Sequence, residues 1–270
     1  MARYWHAADE RSGYVRFCTA GEDLRLLTFG TCRLGDGERW TQARGPEETL
    51  AVILWGRVDA RAGSRSWEGL GGRASVFAGP ATAVYVPPST EFQLQAQGGP
   101  ALVALCQTPL PAGSVAPESY VIGPEEVRVQ RRGAPGFARD VHDILDAQRP
   151  AVRLLVGETF NEIGNWSSYP PHKHDVERGA EETALEELYY FQVSPEQGFG
   201  AQFLYTGDGA LNEAYRVGHG DVTLLPRGYH PVAAAPGYRL YYLWVLAGER
   251  RLLRPVDDPA HAWVKTAAAR

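Results

Sequence analysis

The sequence has little sulfur: one methionine and three cysteines in 270 residues. Cys18, Cys32 and Cys106 are widely spaced, odd in number and form no C-x-x-C pair, which argues against a disulfide framework or a zinc ribbon. A dominant charge of one sign is also missing. Lys plus Arg is 27 and Asp plus Glu is 32, for a formal net charge of −5. That mild acidity argues against nucleic acid or an anionic membrane surface as the main partner. No uninterrupted apolar run approaches the ~20 residues that span a bilayer. The opening Met-Ala-Arg-Tyr-Trp-His has no apolar stretch of the signal-peptide kind. The expectation is a cytoplasmic protein that contacts neither nucleic acid nor membrane.

What is present is turn-makers and aromatics: 30 glycines, 19 prolines and 11% Phe, Trp and Tyr. This suits short strands joined by tight turns. The first half offers apolar runs at 24–29, 49–55, 81–86, 92–96 and 101–106, recurring roughly every ten residues, as in a sandwich or barrel. Pro109, Pro111, Gly113 and Pro117 then mark a break. Phe137, Val141, Ile144 and Leu145 fall at helical spacing, so 137–147 reads as a short helix, with a strand through Val141 to Leu145 as the alternative. The second half repeats the style of the first, at 152–156, 187–193, 201–205, 214–217, 222–225 and 238–245. Gly79, an apolar strand and Pro87-Pro88 resemble Gly220, Val222 to Leu225 and Pro226, about half a chain apart. Two similar β-domains explain that repeat better than one large domain. The expected division is a first barrel over 1–110, a linker region over 111–150 and a second barrel over 151–270.

The seven histidines are unevenly spread, and five lie in the last hundred residues. Pro170-Pro171-His172-Lys173-His174-Asp175 places two imidazoles at i and i+2, on one face of a strand. Strand phase selects Glu187 on the next strand, where it shares a face with Tyr189 and Phe191; a register slip of one residue selects Glu186 instead. His230 follows in Gly220-(x)5-Pro226-x-Gly228-x-His230. Three imidazoles and a carboxylate suit a divalent first-row metal, with coordination positions left open for chemistry. Zn and Mn lead, with Fe, Co and Ni also compatible. Asp175 and Glu177, in a loop, read as solvated, and His219 as an exposed turn residue. His142 and His261 have no partner in sequence and read as surface or structural. The first half has only His6 and no H-x-H, and after Pro87-Pro88 comes Ser89-Thr90-Glu91. Its barrel reads as metal-free, with a structural role or an interface role in a homo-oligomer.

The two-part arrangement resembles the signature of the cupin superfamily, small β-barrels of jelly-roll type. G-N-W-S-S-Y-P-P-H-K-H-D (Gly164 to Asp175), L-E-E-L-Y-Y-F (Leu185 to Phe191), G-D-V-T-L-L-P-R-G-Y-H-P-V (Gly220 to Val232) and A-P-G-Y-R-L-Y-Y-L (Ala235 to Leu243) are together similar to the 5-deoxy-glucuronate isomerase family of myo-inositol catabolism. The resemblance implies an all-β bicupin with two jelly-roll-type barrels. It also implies isomerisation of 5-deoxy-D-glucuronate to 2-deoxy-5-keto-D-gluconate, and a metal on His172, His174, Glu187 and His230. The chain departs from the family pattern at Phe203 and Trp244, which bears on substrate contacts.

An aldose–ketose isomerase moves hydrogen from C2 to C1, and a Lewis-acid metal on the carbonyl and neighbouring hydroxyl acidifies both. Glu187, Tyr189 and Tyr242 are the candidates to take or relay the proton. The deoxy-uronate substrate is a small anion, and its carboxylate needs a cation. Arg227 is the first candidate, Lys173 the second, and Gln202 a further polar contact. Alternatives are another uronate ketol-isomerase, an Fe(II)-dependent cupin dioxygenase, or a sugar-binding bicupin without turnover.

Overall fold

The computed structural model describes residues 4–267. Met1 to Arg3, part of the opening stretch with no signal-type apolar run, lie outside the described residues. Among the described residues the regular structure is almost all strand, with irregular backbone and turns between. In order, the first strands are β1 (Trp5–His6), β2 (Gly13–Cys18), β3 (Thr28–Leu34), β4 (Arg39–Gln42), β5 (Glu47–Trp55) and β6 (Arg57–Ala62). Next come β7 (Arg65–Gly71), β8 (Thr82–Val86), β9 (Phe92–Ala96), β10 (Ala101–Pro109), β11 (Tyr120–Ile122) and β12 (Arg128–Arg132). Then follow β13 (Arg139–Leu145), β14 (Leu155–Asn161), β15 (Trp166–Ser167), β16 (His172–Lys173), β17 (Glu186–Ser194) and β18 (Gly200–Tyr205). The last are β19 (Asn212–Val217), β20 (Val222–Leu225), β21 (Val232–Ala234), β22 (Arg239–Ala247) and β23 (Val256–Asp257), before one short helix, α1 (Trp263–Ala267). None of the described helices is long and apolar enough to cross a membrane.

Two compact units result. One comprises Met1–Ala8, Val129–His142 and Gly157–Arg270; the other comprises Asp9–Arg128 and Asp143–Val156. The stretch 111–150, read from composition as a linker region, carries β11, β12 and β13 and contributes to both. The helix expected over 137–147 is instead strand β13, the alternative pattern, because its neighbours in the large sheet are β12 and β14. Pairing with ready strands overrides local periodicity.

In the second of these units the large sheet runs β11-β8-β5-β10-β3-β2 and the small one β4-β9-β6-β7. Strand β5 lies between β8 and β10 and is buried at every position from Glu48 to Leu54, which is why its sequence is nearly continuous apolar residues. Strand β9, in the small sheet, alternates buried and half-buried residues, as a sheet with one wet face requires. Ala51, Ile53, Val103 and Leu105 from the large sheet meet Val58, Phe92 and Leu94 from the small one in a single apolar cluster. Each large side chain there contributes about 1.5–3 kcal/mol. The three cysteines are buried thiols within this unit. Burial raises the Cys32 thiol to about 12, with Glu38 adding to the shift.

The other unit repeats the plan. Its large sheet runs β1-β20-β17-β22-β14-β13-β12 and its small one β15-β21-β18-β19, with β16 and β23 as a separate pair. Central β17 is buried from Glu187 to Val193, and β18 alternates. The first strand of the chain belongs here: Trp5 pairs with Thr223. The Trp5 indole N–H donates to Asp221 at 3.0 Å, and the Ala8 N–H donates to its other oxygen at 2.9 Å.

Candidate metal centre

Strand β16 and the residue after it deliver His172 and His174; the loop between β20 and β21 delivers His230; β17 delivers Glu187. Ligand nitrogens of the three histidines lie within 4.8 Å of one another. Glu187 Oε2 lies 3.1 Å from His174 Nε2 and 3.2 Å from His230 Nε2. On β17, Glu187 stands between Leu225 of β20 and Leu246 of β22. The residue facing the rings is therefore Glu187 rather than Glu186, as the alternation of the strand requires.

Backbone carbonyls orient two of the rings. His174 Nδ1 lies 3.1 Å from the Leu185 carbonyl and His230 Nδ1 lies 2.9 Å from the Gly228 carbonyl. A carbonyl only accepts, so both Nδ1 atoms carry hydrogen and both Nε2 atoms are turned toward the carboxylate. This is how a second layer fixes the tautomer of metal-ligating histidines. His230 Nε2 is buried and has no hydrogen-bond partner. Three convergent imidazoles, an anionic oxygen and an orphaned nitrogen fit a divalent cation of the zinc and manganese class.

The charges follow from the packing. Burial alone would raise the Glu187 carboxyl, but the His174 and His230 imidazoles beside it outweigh that and hold it at about 2. Burial lowers His174, and the Glu187 carboxylate more than reverses that. His172 is held well below its ordinary value by burial, with His230 and His174 adding to the effect. A metal competes with the proton that Glu187 favours on His174.

The loop that brings in His230 is tied to the H-x-H segment. The Gly228 N–H donates to Asp175 Oδ2 at 2.7 Å. Gly228 has φ +91, and a Cβ there would lie 2.6 Å from the Tyr205 carbonyl oxygen, so glycine is required. Asp175 also pairs with Lys173 at 2.5 Å, so it is a structural link and not the solvated loop acid its position suggested. Glu177 is half exposed and pairs with Arg250.

Beside the rings lies a hydroxyl network. The Tyr189 ring is 6.0 Å from that of His230 and 4.4 Å from that of Tyr242. Ser168 Oγ bridges the two phenols, at 3.1 Å from Tyr189 and 3.3 Å from Tyr242. The Tyr242 hydroxyl also donates to Ser167 Oγ at 2.9 Å. Ser168 holds φ at 49, the left-handed region that a serine seldom occupies. Burial raises both phenols, Tyr189 well above its ordinary value with Glu187 adding to the shift.

The three substrate contacts expected from sequence go elsewhere. Lys173 Nζ is held by Asp175 and by the fully buried Glu182 at 2.6 Å, because alternation turns it away from its histidine neighbours. Gln202 is fully buried on β18, and its amide donates to the carbonyls of Phe203, His230 and Pro231 at 2.8, 3.0 and 3.2 Å. It positions His230. Arg227 is exposed just beyond β20, where its charge acts on Asp208. Phe203 stacks on Trp166, and Trp244 packs over Gly157, where a Cβ would meet the indole at 2.1 Å. His219 is half-buried, its Nδ1 facing the Val193 backbone, and His142 is a packed ring 4.6 Å from Phe160.

The cation that sequence reasoning missed is Arg139. A cavity of about 560 Å³ is lined by His172, Tyr169, Arg139, Arg132, Asp257 and Lys265 among others. Arg139 Nη1 donates to the carbonyls of Phe137 and Tyr169 at 3.1 and 3.3 Å. No local motif marks this residue, since the cavity it lines also needs residues from 169–172 and 253–265.

A model of the KduI/IolB family matches residues 5–264. A 5-deoxy-glucuronate isomerase of Geobacillus thermodenitrificans is 39% identical over 260 residues, 96% of this chain and 93% of the relative. The crystal structure of an IolB-like protein from Salmonella typhimurium LT2 superposes with a TM-score of 0.93 at 35% identity, covering 98% of this chain and all of that one. An oxalate decarboxylase of Lactobacillus farciminis shares the fold alone, with a TM-score of 0.65 at 12% identity over 98% of this chain and 91% of its own.

Proposed function

The chain belongs to the KduI/IolB family, and from that premise we propose that it isomerises 5-deoxy-D-glucuronate to 2-deoxy-5-keto-D-gluconate. The observation that carries the reading is the convergence of His172, His174 and His230 on one another, with Glu187 against two of the rings. These four side chains would hold a divalent metal, Zn or Mn before Fe, Co or Ni. When bound, it supplies Lewis-acid polarisation of the sugar carbonyl and the adjacent hydroxyl.

The reaction carries a proton from C2 to C1, and the protonation states divide the labour. Glu187 is anionic at neutral pH, takes the proton from C2 and returns it at C1. Tyr189 and Tyr242 remain phenols and act as donors to sugar oxygens. Ser168 Oγ joins the two hydroxyls, so a proton given up at one is replaced from the other. Buried walls of Tyr189, Phe191 and Tyr242 keep water from the transfer. Three buried thiols with no disulfide support a cytoplasmic setting.

The test is anaerobic. Purified protein reconstituted with Zn²⁺ or Mn²⁺ is mixed with 5-deoxy-D-glucuronate under argon and followed by NMR. Conversion to the ketose without oxygen is the expected result. Turnover that requires oxygen, or none in any metal form, rejects the isomerase reading.

A further inference from the structure

We propose that Arg139, with Arg132 at the rim, binds the carboxylate of a sugar acid in the cavity that opens on His172. The proposal deepens the isomerase reading and rests on it for the identity of the anion. Among the residues lining the cavity are three cations, Arg132, Arg139 and Lys265, and one carboxylate, Asp257. Lys265 is already paired with Asp257 at 2.5 Å. Neither arginine pairs with a carboxylate among the described residues: Arg132 meets the Gln130 side-chain amide at 3.3 Å, and Arg139 meets only carbonyls. The cavity wall is therefore left with two like charges and no counterion.

Arg139 is the more telling of the two. Its side chain is half-buried, and its charge is felt by Tyr189, Tyr242 and His172. A half-buried charge with no anion beside it favours taking one up. Both hydrogen bonds to protein leave from Nη1. Nε and Nη2 are thereby left for a ligand, the two-pronged edge that matches a carboxylate. The backbone makes room for this side chain. Gly133 has φ +88, and a Cβ there would come within 2.8 Å of Arg139 Nη1 and 2.1 Å of the Phe137 carbonyl oxygen. The loop is shaped around the guanidinium and the carbonyl that anchors it. With His172 and Arg139 lining one cavity, a sugar acid can present C1 and C2 to the histidine side and its carboxylate to the arginine side.

The experiment uses metal-loaded full-length protein and two probes that differ at C6, D-glucuronate and D-glucose, titrated calorimetrically. Wild type is expected to bind glucuronate at least roughly tenfold more tightly. Arg139→Gln keeps an amide donor for the Phe137 and Tyr169 carbonyls but loses the charge. It is expected to bring the two affinities within about threefold while metal content and melting temperature hold. Arg132→Gln, at the rim, is expected to reduce the preference by a smaller factor. If Arg139→Gln melts early, Arg139→Lys decides: a fall of severalfold in the preference supports the proposal, and an unchanged preference overturns it. A preference that survives in folded Arg139→Gln, or no preference in wild type, also overturns it. Turnover of 5-deoxy-D-glucuronate is measured in parallel. Wild-type turnover with an Arg139-independent preference removes the clamp and keeps the isomerase. An Arg139-dependent preference without turnover does the reverse.

Discussion

The two units build the same frame and finish it differently. The run β8-β5-β10-β3 in one large sheet matches β20-β17-β22-β14 in the other, and β4-β9-β6-β7 matches β15-β21-β18-β19 in the small sheets. Strands β8 and β20 both stop at a proline, Pro87 and Pro226. Opposite the last residue of β8 stands Thr49, and opposite the last residue of β20 stands Glu187. Thr49 takes hydrogen bonds from the amides of Gln42 and Gln107 at 3.3 and 3.2 Å. Glu187 faces His174 and His230. One interior is closed with neutral amides and a hydroxyl, the other with a charged donor set.

The pair Glu47-Glu48 at the start of β5 looks like Glu186-Glu187 at the start of β17, yet the register differs by one. Glu48 is thereby turned to the face of β5 opposite Ala51 and Ile53. There it is fully buried and accepts from the Tyr85 hydroxyl at 2.7 Å and from the N–H groups of Val152, Arg153 and Leu154 at 2.9, 2.6 and 2.8 Å. A carboxylate at nearly the same place in sequence serves the backbone in one unit and the imidazoles in the other.

The contrast can be broken by mutation. The largest effect is expected at the histidines. His174→Ala should lower turnover by roughly a thousandfold or more, the several kcal/mol that a Lewis-acid metal supplies, and bring metal content by mass spectrometry to background. Thr49→Ala, at the corresponding register position, should leave both within about twofold. Equal losses from the two would erase the distinction between the units. Next is Glu48→Ala. It leaves two buried N–H groups and a third, half-buried one without an acceptor and should destabilise the fold by about 3–5 kcal/mol in urea titration, with metal content per folded chain unchanged. Loss of metal in step with stability would tie Glu48 to the centre after all.

Asp175→Ala sharpens the comparison from the other side. It unties Gly228 from the H-x-H segment and should weaken metal affinity about 10–100-fold, with a smaller change in melting temperature. An unchanged affinity would show that the loop holds His230 unaided. The smallest effect is chemical. Burial keeps Cys32 and Cys106 raised, with Cys106 the further of the two. A disulfide exchange reagent at pH 8 should find almost no thiol in the native protein and three per chain in urea. Rapid native labelling would mean that this interior is not closed.

How much of this was legible in sequence depends on where each partner lies. The histidines and Glu187 were readable because spacing within two motifs sets their directions. The all-β class with two similar units was readable from alternating strands and the repeated proline stop. Partners distant in the chain were not. Lys173 is claimed by Glu182, Gln202 by the carbonyl of His230, and Arg139 enters the cavity through loops at 133–137 and 169–172. The first strand gave no local sign that it would pair with β20, since two residues carry no period. Helical spacing over 137–147 misled because the sheet on either side of β13 decided its form.

One unit would hold a metal on His172, His174, Glu187 and His230, and the other has no such cluster among the described residues. The most direct test of that difference is to strip the protein with EDTA and restore Mn²⁺ or Zn²⁺ stepwise while following anaerobic isomerisation of 5-deoxy-D-glucuronate. Turnover should be absent at the start, rise in proportion to added metal and level off at one equivalent per chain. Full turnover in the stripped protein, or a plateau at two equivalents, would contradict it.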